Sequence, residues 1–194
     1  MIPRHVQIAV GMLLVAVFTL SFYVLTLRRE AQSGARATDR PIAPPVAGKT
    51  ETVALFVAYD TDRVIRREEF TVALPEERSA RIRAVVRALL DHYAANPSPH
   101  PLADSADVKD VYLLDQDRVI LDLTAAFADQ HRSGILLESL TITSIIQSLA
   151  ANVSGIKQVK FLVDGRERET LAGHADLMSF YDVASVQELM KGLE

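Results

Sequence analysis

The sequence predicts an α+β domain of two layers, in which two main helices pack on a mixed β-sheet, preceded by one transmembrane helix. Three observations support this prediction. Residues 6–27 form a long apolar run, two later segments repeat apolar residues at helical spacing, and short runs rich in Val, Ile, Leu and Phe surround them. After residue 50 the predicted element order is β-β-α-β-β-α-β-β.

The first predicted element is the apolar run from Val6 to Leu27, which contains no charged side chain. At about 1.5 Å of rise per residue, a helix over this run is roughly 33 Å long, enough to cross a hydrocarbon core of about 30 Å. A cleaved signal peptide has a shorter apolar region, and the chain has no cysteine for acylation. We therefore expect residues 1–29 to form an uncleaved single-pass anchor, with the lipid bilayer as the partner of residues 6–27.

Residues 30–50 mix Gly, Ser, Pro and charged residues without an apolar period, which is typical of a linker. The composition changes at residue 51, and we predict one domain over residues 51–182 and a helical tail over residues 183–194. About 140 residues is an ordinary size for one domain with a single core. The net charge of −4 and the absence of Trp argue against a nucleic-acid partner.

The first half of the domain is predicted as a β-hairpin followed by an amphipathic helix. Strands are expected over residues 52–59 and 64–74. Pro75 is expected to open the helix, with Glu76 and Glu77 in its first turn, where carboxylates suit the helix dipole. The helix is predicted to face the core through one apolar stripe: Ile82, Val85, Val86, Leu89, Leu90 and Tyr93.

The second half begins with a predicted hairpin over residues 108–114 and 119–123, joined by a polar turn. A short helical turn is expected at residues 124–127. The second main helix is predicted over residues 133–151, with four apolar residues approximating one face: Leu136, Leu140, Ile145 and Leu149.

The predicted sheet closes with a strand over residues 158–163 and a returning strand over residues 168–171. Between them, Asp164-Gly165 is a tight-turn signal. The returning strand is expected to form an open edge of the sheet, where a neighbouring chain could add a strand.

Several blocks of the sequence resemble the GerMN domain, the module of GerM-type sporulation and spore germination proteins. The segment TSIIQSL at residues 143–149 and the segment GIKQVKFLVDG at residues 155–165 carry most of the resemblance. Three further blocks agree in order: residues 53–59, residues 119–123 with Phe127, and residues 173–177. The resemblance covers about residues 51–182.

The resemblance implies a membrane-tethered, extracytoplasmic domain without an assigned enzymatic activity, similar in fold to ring-building modules of sporulation-secretion assemblies. It therefore favours a cell-membrane location with the C-terminal domain outside the cytoplasm. The flanking charges favour the opposite orientation weakly, because Arg28 and Arg29 follow the apolar run and only Arg4 and the amino terminus precede it.

The sequence shows no arrangement typical of a reactive centre. The five histidines, His5, His92, His100, His131 and His174, lack the spacing of a zinc site. The aspartates between residues 104 and 117 lack the ligand order and central glycine of a calcium loop. We therefore expect no catalytic, cofactor-binding or metal site and no cofactor, and we expect His174 in a turn or packing role.

Two functions are compatible with these features. The first is an interaction or scaffold module that contacts envelope proteins or a second copy of itself in an envelope or sporulation-related complex. The alternative is an envelope accessory that binds or hydrolyses peptidoglycan or lipid, with Asp122 and His174 as its polar candidates. The first is favoured, because an anchor, a linker and one domain occur without convergent reactive groups.

Overall fold

The structure, a computed structural model, describes residues 49–190 and is a mixed α+β fold, as predicted. The strands are β1 (Lys49–Tyr59), β2 (Val64–Leu74), β3 (Val108–Leu113), β4 (Arg118–Leu123), β5 (Gln158–Val163) and β6 (Tyr181–Asp182). The helices are α1 (Arg78–Ala94), α2 (Ala125–Asp129), α3 (Ile135–Asn152) and α4 (Val183–Met190). The predicted anchor at residues 6–27 and residues 30–48 of the predicted linker lie outside the described part of the chain.

The described strands form two sheets, so the prediction of a single mixed sheet is wrong. β1 and β2 make a two-stranded antiparallel hairpin that is paired over all eleven residues of each strand. The second sheet has the order β3-β4-β5-β6, in which β4 and β5 are parallel and the other pairs antiparallel. The middle of β2 carries four charged residues in succession: Arg66, Arg67, Glu68 and Glu69.

The two sheets stay separate because helix side chains occupy the outer edge of β1. Three of its backbone N–H groups that point away from β2, those of Ala54, Phe56 and Ala58, donate to side-chain oxygens at 2.8–3.0 Å. The acceptors are, in order, Asn152, Ser148 and Tyr93. A buried backbone donor must find a partner, and here α3 and α1 supply the partners that a third strand would otherwise provide.

Helix α1 packs against the core as predicted, since all six residues of its apolar stripe are buried. Its predicted start is wrong by one turn. Glu77 is not in the first turn but precedes the helix, where its carboxylate accepts hydrogen bonds from Ser79 N–H at 2.9 Å and Ala80 N–H at 2.6 Å. It therefore caps the free N–H groups of α1, and Pro75 and Glu76 lie before the helix.

Helix α3 is the central helix of the domain and is buried on more than one face. Of the predicted apolar face, Leu140, Ile145 and Leu149 are buried, whereas Leu136 is partly buried. By length and composition α3 is the one helix within residues 49–190 that could cross a membrane. Because 56% of it is buried inside the domain, its apolar character is that of a core helix.

The strand predicted at residues 168–171 is absent, and this prediction is wrong. Asp164-Gly165 does form a tight turn, with positive φ angles of 51° and 72°. The chain then folds back on itself, since Leu171 N–H donates to Ala175 O at 2.9 Å instead of to a strand of the sheet. The place beside β5 is taken by β6, which is two residues long.

Replacing Asn152 by Ala should test the capping of β1. The Asn152 side chain accepts from Ala54 N–H and donates to Ala54 O at 2.7 Å, so the change leaves two backbone groups of a core strand unpaired. We expect the free energy of unfolding to fall by about 1–3 kcal/mol, measured by urea denaturation followed by circular dichroism. Ser139→Ala is the matched control, because Ser139 is exposed and contacts only Ile135 O of its own helix. Equal losses in both variants would contradict the role of Asn152.

Candidate functional site

The polar groups of the domain centre on one stripe of α3, which we call the polar stripe. Its members recur every three or four residues and therefore lie on one side of the helix: Glu138, Thr141, Ser144, Ser148 and Asn152. The first four are buried. Its members bind four different parts of the chain, because Ser148 and Asn152 both bind β1. Ser144 Oγ lies 2.5 Å from the hydroxyl of Tyr93 in α1.

Glu138 is a fully buried carboxylate that holds the loop after β5. Its two oxygens accept four backbone N–H groups at 2.8–3.0 Å, from Gly134, Ala172, His174 and Ala175. His174 Nδ1 lies 2.8 Å from Glu138 Oε1 and supplies a fifth contact. Burial opposes ionisation, but the hydrogen bonds from these donors outweigh it and lower the pKa of Glu138 to about 2.

Thr141 lies at the centre of a second group, the histidine cluster, which consists of Asp60, His100, His131, Arg132 and Thr141. The hydroxyl oxygen of Thr141 is 2.6 Å from His100 Nε2 and 2.8 Å from His131 Nε2. His100 Nδ1 contacts Asp60, which also accepts a hydrogen bond from Arg132. Burial lowers the pKa of both His100 and His131.

The contacts of Asp60, His100 and Thr141 follow the order of a hydrolytic triad, but their burial gives them another role. Thr141 is 0% exposed and His100 is 1% exposed. A nucleophile must reach the carbonyl of a substrate, and this hydroxyl is closed off by the surrounding helices. In the state described here the cluster therefore joins parts of the fold.

The two polar candidates from the sequence, Asp122 and His174, belong to separate networks. Asp122 is 4% exposed and its Oδ1 accepts Gly165 N–H at 2.7 Å. Burial raises the pKa of Asp122, although this hydrogen bond opposes the rise. His174 is bound to Glu138 at the start of α3 instead. The structure thus shows no hydrogen bond between the two candidates among its described contacts.

The surface offers one depression of about 520 Å³ between the start of α1 and the end of α3. Its lining includes Arg78, Arg81 and Asn152, and neither Asp122 nor His174 contributes to it. Arg81 is paired with Glu51, and Arg78 donates to Ser154 O at 3.1 Å. Arg81 is therefore neutralised by a carboxylate, whereas Arg78 binds a backbone carbonyl and its buried Nε has no hydrogen-bond partner in the described chain. Within residues 49–190, no three His, Asp or Glu side chains are grouped as metal ligands.

The outer edge of β3 is capped over its first part by carboxylates. Asp107 Oδ1 accepts Val108 N–H at 2.7 Å, and Asp110 Oδ1 accepts Val111 N–H at 2.9 Å. The same carboxylates pair with two arginines of α1: Arg87 and Arg83. Backbone pairing with another strand is therefore blocked up to Val111.

Beyond this cap lie three consecutive exposed apolar residues, Tyr112, Leu113 and Leu114, which we call the apolar edge patch. Their side chains are 38–50% exposed. The other exposed large apolar residues in the described chain are single ones, Ile135 and Met178. A run of this kind differs from scattered exposed apolar residues, which need no explanation.

Sequence reasoning missed Glu138, Thr141, His100 and His131 as the residues on which the polar networks depend. The signal in the sequence is the polar stripe itself, because five polar residues at helical spacing interrupt an otherwise apolar helix. A polar residue that recurs at this spacing in a core helix requires partners. The partners lie 10 to 98 residues away in sequence, and the spacing gives no information about them.

Comparison with known proteins agrees with this fold. The family model described as "Germane: Sporulation and spore germination" matches residues 54–169, more than half of the chain. The domain is thus of the GerMN type, and the chain belongs to the Germane family. A search of curated protein sequences gives no match.

Three solved structures are similar to the chain at low identity. A candidate lipoprotein from Clostridium perfringens is 18% identical with a TM-score of 0.49, and the match covers 79% of this chain and 97% of that one. The tandem GerMN domains of the sporulation protein GerM from Bacillus subtilis are 18% identical with a TM-score of 0.48, over 68% and 45% of the respective chains. The first GerMN domain alone is 17% identical with a TM-score of 0.44, over 67% and 95%.

Acid titration of stability should reveal Glu138. Its pKa is lowered from 4.5 to about 2, so the ionised carboxylate stabilises the fold fully above pH 4.5 and loses this effect as the pH falls through 2. The difference corresponds to about 3 kcal/mol. Glu138→Gln should lower the free energy of unfolding at pH 7 by at least that amount and remove this part of the pH dependence.

Urea denaturation at a series of pH values measures both effects. Asp115→Asn serves as the control, because Asp115 forms an exposed ion pair with Arg118 and such pairs contribute at most about 1 kcal/mol. Unchanged pH dependence in Glu138→Gln would show that the buried carboxylate does not stabilise the fold.

Proposed function

We propose that the chain is a membrane-anchored, non-catalytic interaction module of the Germane family. Its domain lies outside the cytoplasm and contributes protein–protein contacts to an envelope or sporulation-related complex. The observation that carries the proposal is the apolar edge patch at residues 112–114. The family and the burial of the polar networks also support it, since the polar groups of the polar stripe serve other parts of the fold.

The apolar edge patch suits contact through side chains. The first part of the β3 edge is capped by Asp107 and Asp110, so a partner cannot extend the sheet along the whole strand. Tyr112 and Leu114 point to one face and Leu113 to the other at the end of β3. These exposed tyrosine and leucine side chains supply the apolar centre of a small interface that contacts the end of the strand from both faces.

Tethering makes such a small contact effective. An anchor at residues 6–27 confines the domain to the membrane surface, and the linker limits its distance from neighbours on the same surface. Confinement raises the effective concentration of partners. A weak, side-chain-mediated contact is therefore sufficient for assembly, whereas an enzyme acting on a soluble substrate gains nothing comparable.

Site-specific crosslinking tests the surface. A photoreactive amino acid placed at Leu114 should give discrete adducts in intact membranes, whose mass identifies either a second copy or another protein. The same group at Thr61, an exposed residue of the β1–β2 turn, is the matched control. Leu113→Asp in the labelled chain should reduce the adducts several-fold, because it places a charge in the contact. Equal labelling from both positions would contradict the proposed surface.

Membrane extraction tests the anchor. Alkaline carbonate should leave the full chain in the pellet, because a spanning helix is retained by its apolar length. A chain lacking residues 6–27 should be released. A topology reporter fused after residue 194 should be active only outside the cytoplasm, and a cytoplasmic signal would overturn the proposed orientation.

A further inference from the structure

The hydroxyl of Thr141 has more acceptors around it than it can serve. Its oxygen lies 2.6 Å from His100 Nε2, 2.8 Å from His131 Nε2 and 3.0 Å from Leu137 O. A threonine hydroxyl donates one hydrogen bond and can accept others on its lone pairs. The protonation of the two histidines therefore decides which of these contacts are hydrogen bonds.

The opposite ring nitrogens define the tautomers. His100 Nδ1 faces the carboxylate of Asp60, and His131 Nδ1 lies 2.8 Å from Arg132 O. A carboxylate and a carbonyl both accept, so each Nδ1 carries a proton. When both rings are neutral, both Nε2 atoms are consequently acceptors that face the same hydroxyl.

A single added proton resolves this conflict. When both rings are neutral, the single hydroxyl proton of Thr141 can be donated to only one Nε2 atom. The lone pair of the other Nε2 atom then faces a lone pair of the hydroxyl oxygen. A protonated ring instead donates to Thr141 Oγ1, and the hydroxyl then donates to the other ring. A second proton would place two cationic rings, with centroids 6.1 Å apart, in a buried site beside Arg132.

We propose that His100 and His131 form one acid-sensing unit that binds a single shared proton through Thr141 Oγ1, and that a second proton opens the histidine cluster. The unit joins four parts of the fold. Asp60 belongs to the β1–β2 turn, His100 to the loop after α1, His131 and Arg132 to the loop between α2 and α3, and Thr141 to α3.

The charges around the pair fix the direction of the response. Asp60 and Arg132 face His100, while Glu138 and Arg132 face His131. The ring of Tyr93 packs on His100 with centroids 4.9 Å apart, and it stays neutral because burial raises its pKa.

Burial lowers the pKa of both histidines below 6.5, while Asp60 opposes this at His100. The shared proton therefore enters below pH 6.5, where the Asp60 carboxylate favours its binding to His100 and the Arg132 carbonyl favours its binding to His131. Because the unfolded chain binds protons first, stability is lost as the pH falls through this range. Entry of the second proton then opens the cluster and loosens the three joined loops together.

Nitrogen NMR of the full-length chain in detergent, labelled with ¹⁵N in its histidines, tests the proposal. In a titration from pH 8 to 4, the His100 and His131 rings should shift with one common midpoint below 6.5. Each shift should be incomplete in this step, with the two summing to one proton. Separate midpoints with complete shifts, or no shift of either ring, would overturn the proposal.

Two variants give independent checks. Thr141→Ser keeps the hydroxyl and should keep the common midpoint, whereas Thr141→Val should abolish it. His131→Gln offers a permanent amide donor to Thr141 Oγ1, which frees the hydroxyl proton for His100, so His100 should remain neutral to a lower pH than in the unmodified chain. If Thr141→Val does not fold, His131→Gln decides alone: an unchanged His100 midpoint there refutes the shared proton.

Discussion

The fold depends on the hydrogen bonds that the polar stripe of α3 makes inside the domain. The helix is enclosed by β1, α1, the loops near α2 and the loop after β5, so water cannot satisfy the four buried members of its polar stripe. Its members instead bond to β1, to α1, to the loops of the histidine cluster and to the loop after β5. Removing one partner would leave a buried donor or acceptor exposed to an apolar environment, which costs far more than an ordinary hydrogen bond contributes. The polar stripe consequently specifies how the elements around α3 are placed, whereas the apolar residues only hold them together.

This constraint also explains why two short sheets can coexist in one domain. A two-stranded hairpin is marginal by itself, and β1–β2 gains its support from Asn152, Ser148 and Tyr93 along the edge of β1. The four-stranded sheet is stabilised in a similar way at its edge strand β3, where Asp107 and Asp110 cap backbone N–H groups and pair with arginines of α1. Helix side chains thus cap the edge of β1 directly, whereas at β3 the arginines of α1 hold the carboxylates that cap the strand.

The local elements were predictable from the sequence, but their assembly was not. The apolar stripe of α1 and the Asp164-Gly165 turn follow from periodicity and from the φ preferences of two residues. The single sheet and the strand at residues 168–171 were wrong for a shared reason. Strand patterns do not say which edge pairs with which, and a helix carboxylate, Glu138, takes the N–H groups of Ala172, His174 and Ala175. The spacing of apolar residues within a short segment contains no information about hydrogen-bond partners more than thirty residues away.

The candidate site shows the same division. His174 was assigned a turn or packing role from its context, and the structure places it against Glu138. His100 and His131 could not be singled out from the sequence, because their approach to Thr141 arises only when three loops meet. The apolar edge patch was hidden for another reason. Tyr112, Leu113 and Leu114 look like the interior of a strand until the caps at Asp107 and Asp110 show where the protected edge ends.

The charged run in β2 has a bearing on contacts between copies of the domain. The N–H groups of Ile65, Arg67 and Glu69 point away from β1, because their partners across the hairpin are the capped residues of β1. If two copies paired antiparallel along the outer edge of β2, residues with outward-pointing N–H groups would have to lie opposite each other. The two residue numbers of each pair would then add up to an even number. One residue would therefore lie opposite the same residue of the other copy. Aligning Arg66 with Glu68 puts Arg67 against Arg67, and aligning Arg67 with Glu69 puts Glu68 against Glu68. No such register matches all four charges, so the hairpin discourages identical neighbours from polymerising through it.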